Sequence, residues 1–142
     1  YSMGYNTSAY MDMPINHKVF LAQFDAIKKI AGEGPCILVG RCADYALEEF
    51  DNVLSVFIHA DMSARIRRIA RIYNLTDAKA KEMIQKTDKQ RSSYYNYYTN
   101  KKWSDAESYD VCLDSSVLGI EGTAEAIKQL VAIKESDREK KL

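Results

Sequence analysis

Residues 53–71 read VLSVFIHADMSARIRRIAR, and the switch of pattern inside this stretch decides the fold class. The run VLSVFIHA is rich in β-branched and aromatic residues and almost free of charge, the composition of a strand covered on both faces. Asp61 then stands where a helix N-cap is wanted. From Met62 to Tyr73 the spacing becomes helical, with Ile66, Ile69 and Tyr73 on one face and Arg65, Arg67, Arg68 and Arg71 around the rest. An apolar strand that feeds directly into an amphipathic helix is the repeating piece of parallel α/β sheets.

The flanking sequence extends the same alternation. Upstream, residues 14–34 place Val19, Phe20, Gln23, Phe24, Ile27 and Ile30 at helical spacing and close on Gly32 and Gly34, which predicts a helix. CILVG at 36–40 predicts a buried strand, RCADYALEEF at 41–50 a short helix, and Asp51-Asn52 a turn. Downstream, Thr76 caps a long helical pattern ending near Asn100, and KKWSDAES is turn-like. YDVCLDSS at 109–116 predicts a third strand, and residues 119–135 a last amphipathic helix with a frayed charged tail. The expected class is α/β with parallel strands covered by helices on both faces, in one domain spanning 1–142. Residues 1–13 show no sustained periodicity of either kind.

Composition narrows the function. Twenty basic and twenty acidic residues cancel, so no global field draws the chain to nucleic acid or anionic lipid. Nucleic acid is therefore not expected as a partner. No stretch approaches the roughly 18 consecutive apolar residues of a membrane span. Cys36, Cys42 and Cys112 are odd in number and lack CxxC spacing, as befits free thiols in a reducing cytoplasm. His17 and His59 have neither the spacing nor the acidic companions of a metal site, and no metal ligand set is expected.

In a parallel sheet ligands gather where strands end. Four places stand out on that rule and on local charge. Gly40-Arg41, with Asp44 close behind, offers backbone access and a planar guanidinium fork suited to phosphate oxygens. Arg65 and Arg68, three apart on the basic helix, can address one polyanion. Asp88 and Arg91 are also three apart; they either pair with one another or jointly hold a phosphate and a neighbouring hydroxyl. SYYNYYTNKKW interleaves tyrosines with cations, which suits a stacking platform, a helix face packed on a sheet, or a homodimer contact.

Taken in order, CILVGRCADYAL, SVFIHADMSARIRRI, KTDKQRSSYYNYYTNKKW and YDVCLDSSVLGIEGTAEAI resemble successive blocks of the cytidylate-kinase-like family. The resemblance runs from about Pro14 to Ile133. It implies a P-loop kinase-like, three-layer αβα fold and transfer of the γ-phosphoryl group of ATP, with Mg²⁺, to CMP, dCMP or a related small acceptor. On that pattern Arg41 contacts the acceptor phosphate, Arg65, Arg68 and Arg91 neutralise the phosphates in flight, and Asp44 and Asp88 belong with Arg41 to the substrate-binding set, one or the other orienting the arginines. Residues 62–103 would then carry the lid, with Ser115 and Ser116 near the adenine edge at most.

The sequence also departs from the family. Cys42 stands where bacterial cytidylate kinases usually have aspartate, and the dense lid run of Asp and Arg is thinned to DKQR. The strand and glycine-rich phosphate loop that open such enzymes are not among these residues. In the family that strand lies between those predicted at 36–40 and 53–60, so the expectation is a retained part of a longer chain. A non-catalytic nucleotide-binding or self-association module on the same scaffold is the alternative expectation.

Overall fold

A computed structural model describes residues 13–142. The reading of residues 1–12 lies outside the described part. The chain divides into two compact units, one up to Asp51 and one from Asn52 to Leu142.

The first unit holds α1 (Met13–Glu33) and α2 (Ala43–Ala46). Phe20 and Ile27 of α1 are buried, as are Cys42, Ala43, Ala46 and Leu47 around α2. Phe24 joins the two helices through its ring, 6.1 Å from that of Tyr45. Val19 and Ile30, expected on the covered face of α1, are exposed. The structure corrects one strand: residues 35–39 form neither helix nor strand, and Ile37 and Val39 are 93% and 89% exposed. An apolar pentapeptide becomes a strand only when a neighbouring backbone accepts its ladder, and no described segment does so.

The second unit is built on two parallel strands, β1 (Val56–His59) and β2 (Val111–Asp114), in register from Val56 opposite Val111 to His59 opposite Asp114. Both fall inside predicted runs. The described chain is therefore mixed α/β and helix-rich, with a small two-stranded parallel sheet in its second unit and not the larger sheet expected. At the N-terminal ends of the strands Ser55 and Asp110 close the ladder reciprocally. The Ser55 N–H donates to Asp110 Oδ2 at 2.9 Å, and the Asp110 N–H donates to the Ser55 carbonyl at 3.1 Å. Lys134 donates to the carbonyl of Val53 and lies 3.8 Å from Asp110.

Between the strands run α3 (Met62–Tyr73) and α4 (Asp77–Thr99), and α5 (Ser115–Lys141) follows β2. The last helix begins earlier and ends later than its periodicity suggests. It is broken at Gly119, whose φ of 70° and ψ of 172° are open only to glycine. Gly119→Ala is expected to cost about 1–3 kcal/mol of stability, because this conformation strains any Cβ. An unchanged chemical-denaturation midpoint would contradict this. Among the described residues no helix is long and apolar enough to cross a membrane.

Candidate functional site

Local sequence makes α3 and α4 an antiparallel hairpin. Asn74, in the left-handed region with φ 52°, ends α3 and returns its N–H to Ala70. Thr76 opens α4 by accepting the Lys79 N–H at 3.3 Å, and Asp77 sits favourably at the positive end of the helix dipole. The connector is too short for anything but side-by-side packing. Ile66 and Ile69 turn partly inward while Ala80 and Ile84 of α4 are buried; Tyr73, expected on the covered face, is exposed.

On this hairpin Arg65 meets Asp88. Nη1 and Nη2 donate to Oδ2 and Oδ1, both at 2.7 Å, in a planar bidentate fork. The side chains are 30% and 24% exposed. The hydrogen bond to Asp88, more than the simple proximity of its charge, holds the Arg65 guanidinium above its already high pKa. A fork of this kind, partly shielded from water, contributes about 1–2 kcal/mol. Both oxygens of Asp88 thus face α3 rather than Arg91 one turn further along α4, so the pairing of Asp88 with Arg91 open from the spacing is not formed.

Arg91 goes elsewhere. Its guanidinium lies over the ring of Trp103, 5.8 Å from the centroid. Trp103 meets Phe57 of β1 edge-on at 5.3 Å, and Phe57 stacks on Tyr109 at 4.9 Å. Tyr109 Oη donates to the Trp103 carbonyl at 2.6 Å, and Tyr95, buried on α4, stacks on the Tyr109 ring at 5.9 Å. The aromatic segment therefore contributes in two ways: buried Tyr95 and half-buried Trp103 join the rings of Phe57 and Tyr109, while Tyr98 meets both Tyr94 and exposed Tyr97. Arg68 is exposed, as are Arg67 and Arg71. In an antiparallel hairpin Arg68 and Arg91 fall on opposite sides of the Arg65–Asp88 fork, each displaced by roughly 4.5 Å along its helix.

At the C-terminal ends of the strands His59 Nδ1 lies 4.0 Å from Asp114 Oδ2. The Asp114 carboxyl is held below the usual carboxylate range, first by the Ser116 hydroxyl, then by the Ser116 backbone N–H, with His59 a smaller influence. His59 and Asp114 are register partners, a relation invisible until two strands pair.

In the first unit Gly40, Arg41 and Cys42 have φ of 71°, 56° and 56° in succession. Two consecutive non-glycine residues in the left-handed region cost about 1 kcal/mol each. This turn leads into α2, with Asp44 in the first helical turn, the Ala43 N–H bonded to the Gly40 carbonyl at 3.1 Å, and Arg41 exposed. Cys42 is buried, and burial first, then the Asp44 charge, pushes its thiol up to about 11. At pH 8 the thiolate fraction should be about a hundredfold below that of an ordinary thiol. Exposed Cys36 is therefore expected to alkylate well before Cys42. Peptide mapping that finds both labelled at equal rates would refute this.

Two components had weak signals in the sequence. Trp103 was grouped with the tyrosines, although only its ring carries Arg91. Asp61 is the N-cap residue of α3, as its place in the sequence indicates, but its side chain makes no capping bond. Among the described residues no three His, Cys, Asp or Glu side chains converge as a metal site.

A family model described as cytidylate kinase-like matches residues 1–117. No curated protein matches the sequence. The crystal structure of an uncharacterized protein from Eubacterium ventriosum ATCC 27560 is similar, with a TM-score of 0.67 and 32% identity over 70% of this chain and 63% of that one. The chain thus spans less than two thirds of that relative's length.

Proposed function

Because the chain belongs to the cytidylate kinase-like family, we propose that it serves a nucleoside monophosphate kinase-like reaction, transfer of the γ-phosphoryl group of ATP to CMP, dCMP or a related small acceptor. The observation that carries this reading is the forked Arg65–Asp88 pair, flanked along the hairpin by Arg68 and Arg91. Phosphoryl transfer requires little covalent help from the protein; it requires cations placed where charge spreads over the moving group. Guanidinium groups held by carboxylates are suited to this, because their geometry is set before the substrate arrives.

On this reading residues 62–103 are the lid of a P-loop kinase scaffold, and Arg65, Arg68 and Arg91 close over the transferring phosphoryl group. Asp88 orients Arg65. Arg41 binds the acceptor phosphate from the strained turn before α2, where Asp44 orients it. A bidentate guanidinium is the right partner for a phosphate whose position must be fixed. The family implies Mg²⁺ with the ATP, an ion that is ordinarily held by one or two carboxylates together with the substrate phosphates. Closure of a basic hairpin over bound substrates would also exclude water and limit idle ATP hydrolysis.

The test is a coupled ATP-consumption assay on the full-length protein against a panel of nucleoside monophosphates. Acceptor-dependent ADP formation, greatest with cytidine monophosphates, is expected. Nucleotide binding without turnover on any acceptor would overturn the reading in favour of a non-catalytic module.

A further inference from the structure

The carbonyl of His59 and the N–H of Asp61 flank Ala60, where β1 has ended and α3 has not begun. Both are met by side chains from the first residues of α5. Ser115 Oγ donates to the His59 carbonyl at 3.1 Å, and Ser116 Oγ accepts the Asp61 N–H at 2.6 Å, across 56 and 55 residues of sequence. Ser116 is itself fixed, because its backbone N–H donates to Asp114 Oδ1 at 2.8 Å. By accepting the N–H of the N-cap residue, the Ser116 hydroxyl ties the start of α3 to the start of α5.

From Asp61 the path to the arginine is one helical turn. The Asp61 carbonyl accepts the Arg65 N–H at 3.0 Å, and Arg65 forks onto Asp88 at 2.7 Å. We propose that Ser116 is a positioning residue for Arg65, a role that rests on the phosphoryl-transfer reading above. By holding the Asp61 N–H it sets where α3 leaves the sheet, and therefore where the guanidinium is presented. A displacement of the first turn of α3 by a fraction of an ångström would carry Arg65 with it. Misplacement on the scale of 1 Å can cost about a hundredfold in rate.

The experiment compares Ser116→Ala with Ser116→Thr in the full-length protein. It follows the Arg65 Nε–Hε resonance by NMR, assigned by its loss in Arg65→Lys, together with kcat and the KM for ATP. In S116A the Arg65 resonance is expected to shift or broaden and kcat to fall on the order of 10- to 100-fold, with the KM for ATP unchanged. S116T, which keeps the hydroxyl, is expected to restore both. If S116A does not fold, Ser116→Cys, of similar size and weak as an acceptor, takes its place. An unmoved Arg65 resonance in a folded S116A or S116C overturns the proposal, as does a raised KM for ATP with kcat retained, which would make Ser116 a nucleotide contact. Should the wild-type protein transfer no phosphate to any acceptor, the functional reading fails while the resonance still decides whether Ser116 positions Arg65.

Discussion

Replacing Arg65 by alanine is expected to lower phosphoryl transfer on the order of a thousandfold, equivalent to about 4 kcal/mol of transition-state stabilisation. The loss should fall mainly on kcat, because a cation that meets charge developing during transfer contributes more to the transition state than to the bound substrate. Stability should fall as well, by about 1–3 kcal/mol, since Asp88 keeps its partly buried carboxylate and loses both bonds of the fork. The two effects are separable. In the double variant Arg65→Ala/Asp88→Ala no unpaired carboxylate remains, so the denaturation midpoint should recover part of the way while the rate stays low. A double variant that recovered activity along with stability would make the pair a structural brace and remove Arg65 from the chemistry.

Arg91→Ala is expected to lower turnover by about a hundredfold or more while leaving the fold intact. Its guanidinium is exposed and held by the face of Trp103, a contact contributing about 0.5–1 kcal/mol, so the stability cost is small. Trp103 is the single tryptophan, which makes its emission a direct reporter. The variant should change the emission of the free protein, and addition of ATP should change it in the wild type if the guanidinium leaves the ring for a phosphate. A near-normal rate in Arg91→Ala would place this arginine outside the site.

The Arg65–Asp88 fork shows how far sequence reasoning reaches. Both residues stand out in the sequence by charge and helical spacing, Arg65 also by lying on the helix that follows a strand, all properties of a few neighbouring positions. Their pairing was not legible, because the nearest candidate for Asp88 on its own helix was Arg91, three residues on. The choice fell to Arg65, 23 residues away, once the hairpin had formed. The same holds for Arg91 and Trp103, whose contact depends on Phe57 and Tyr109 arriving from the two strands.

Residues 36–40 mark the limit from the other side. Helices bond within their own segment, so periodicity and end signals in the sequence located every long one, from the cap at Thr76 to the amphipathic stripe of α3. A strand bonds to another segment, and the apolar composition of CILVG states a readiness to be buried without naming a partner. Strands β1 and β2 were equally apolar runs, but each had the other. Sequence by itself therefore determined the helices, the strand-prone runs, the resemblance and the identity of the candidate cations. Tertiary structure alone decided which runs became sheet, which carboxylate took which arginine, and that two serines of α5 would complete the backbone bonding where β1 gives way to α3. Those outcomes are long-range, and the physics that selects them, backbone pairing between segments and competition among alternative ionic partners, operates only after the chain has brought distant residues together.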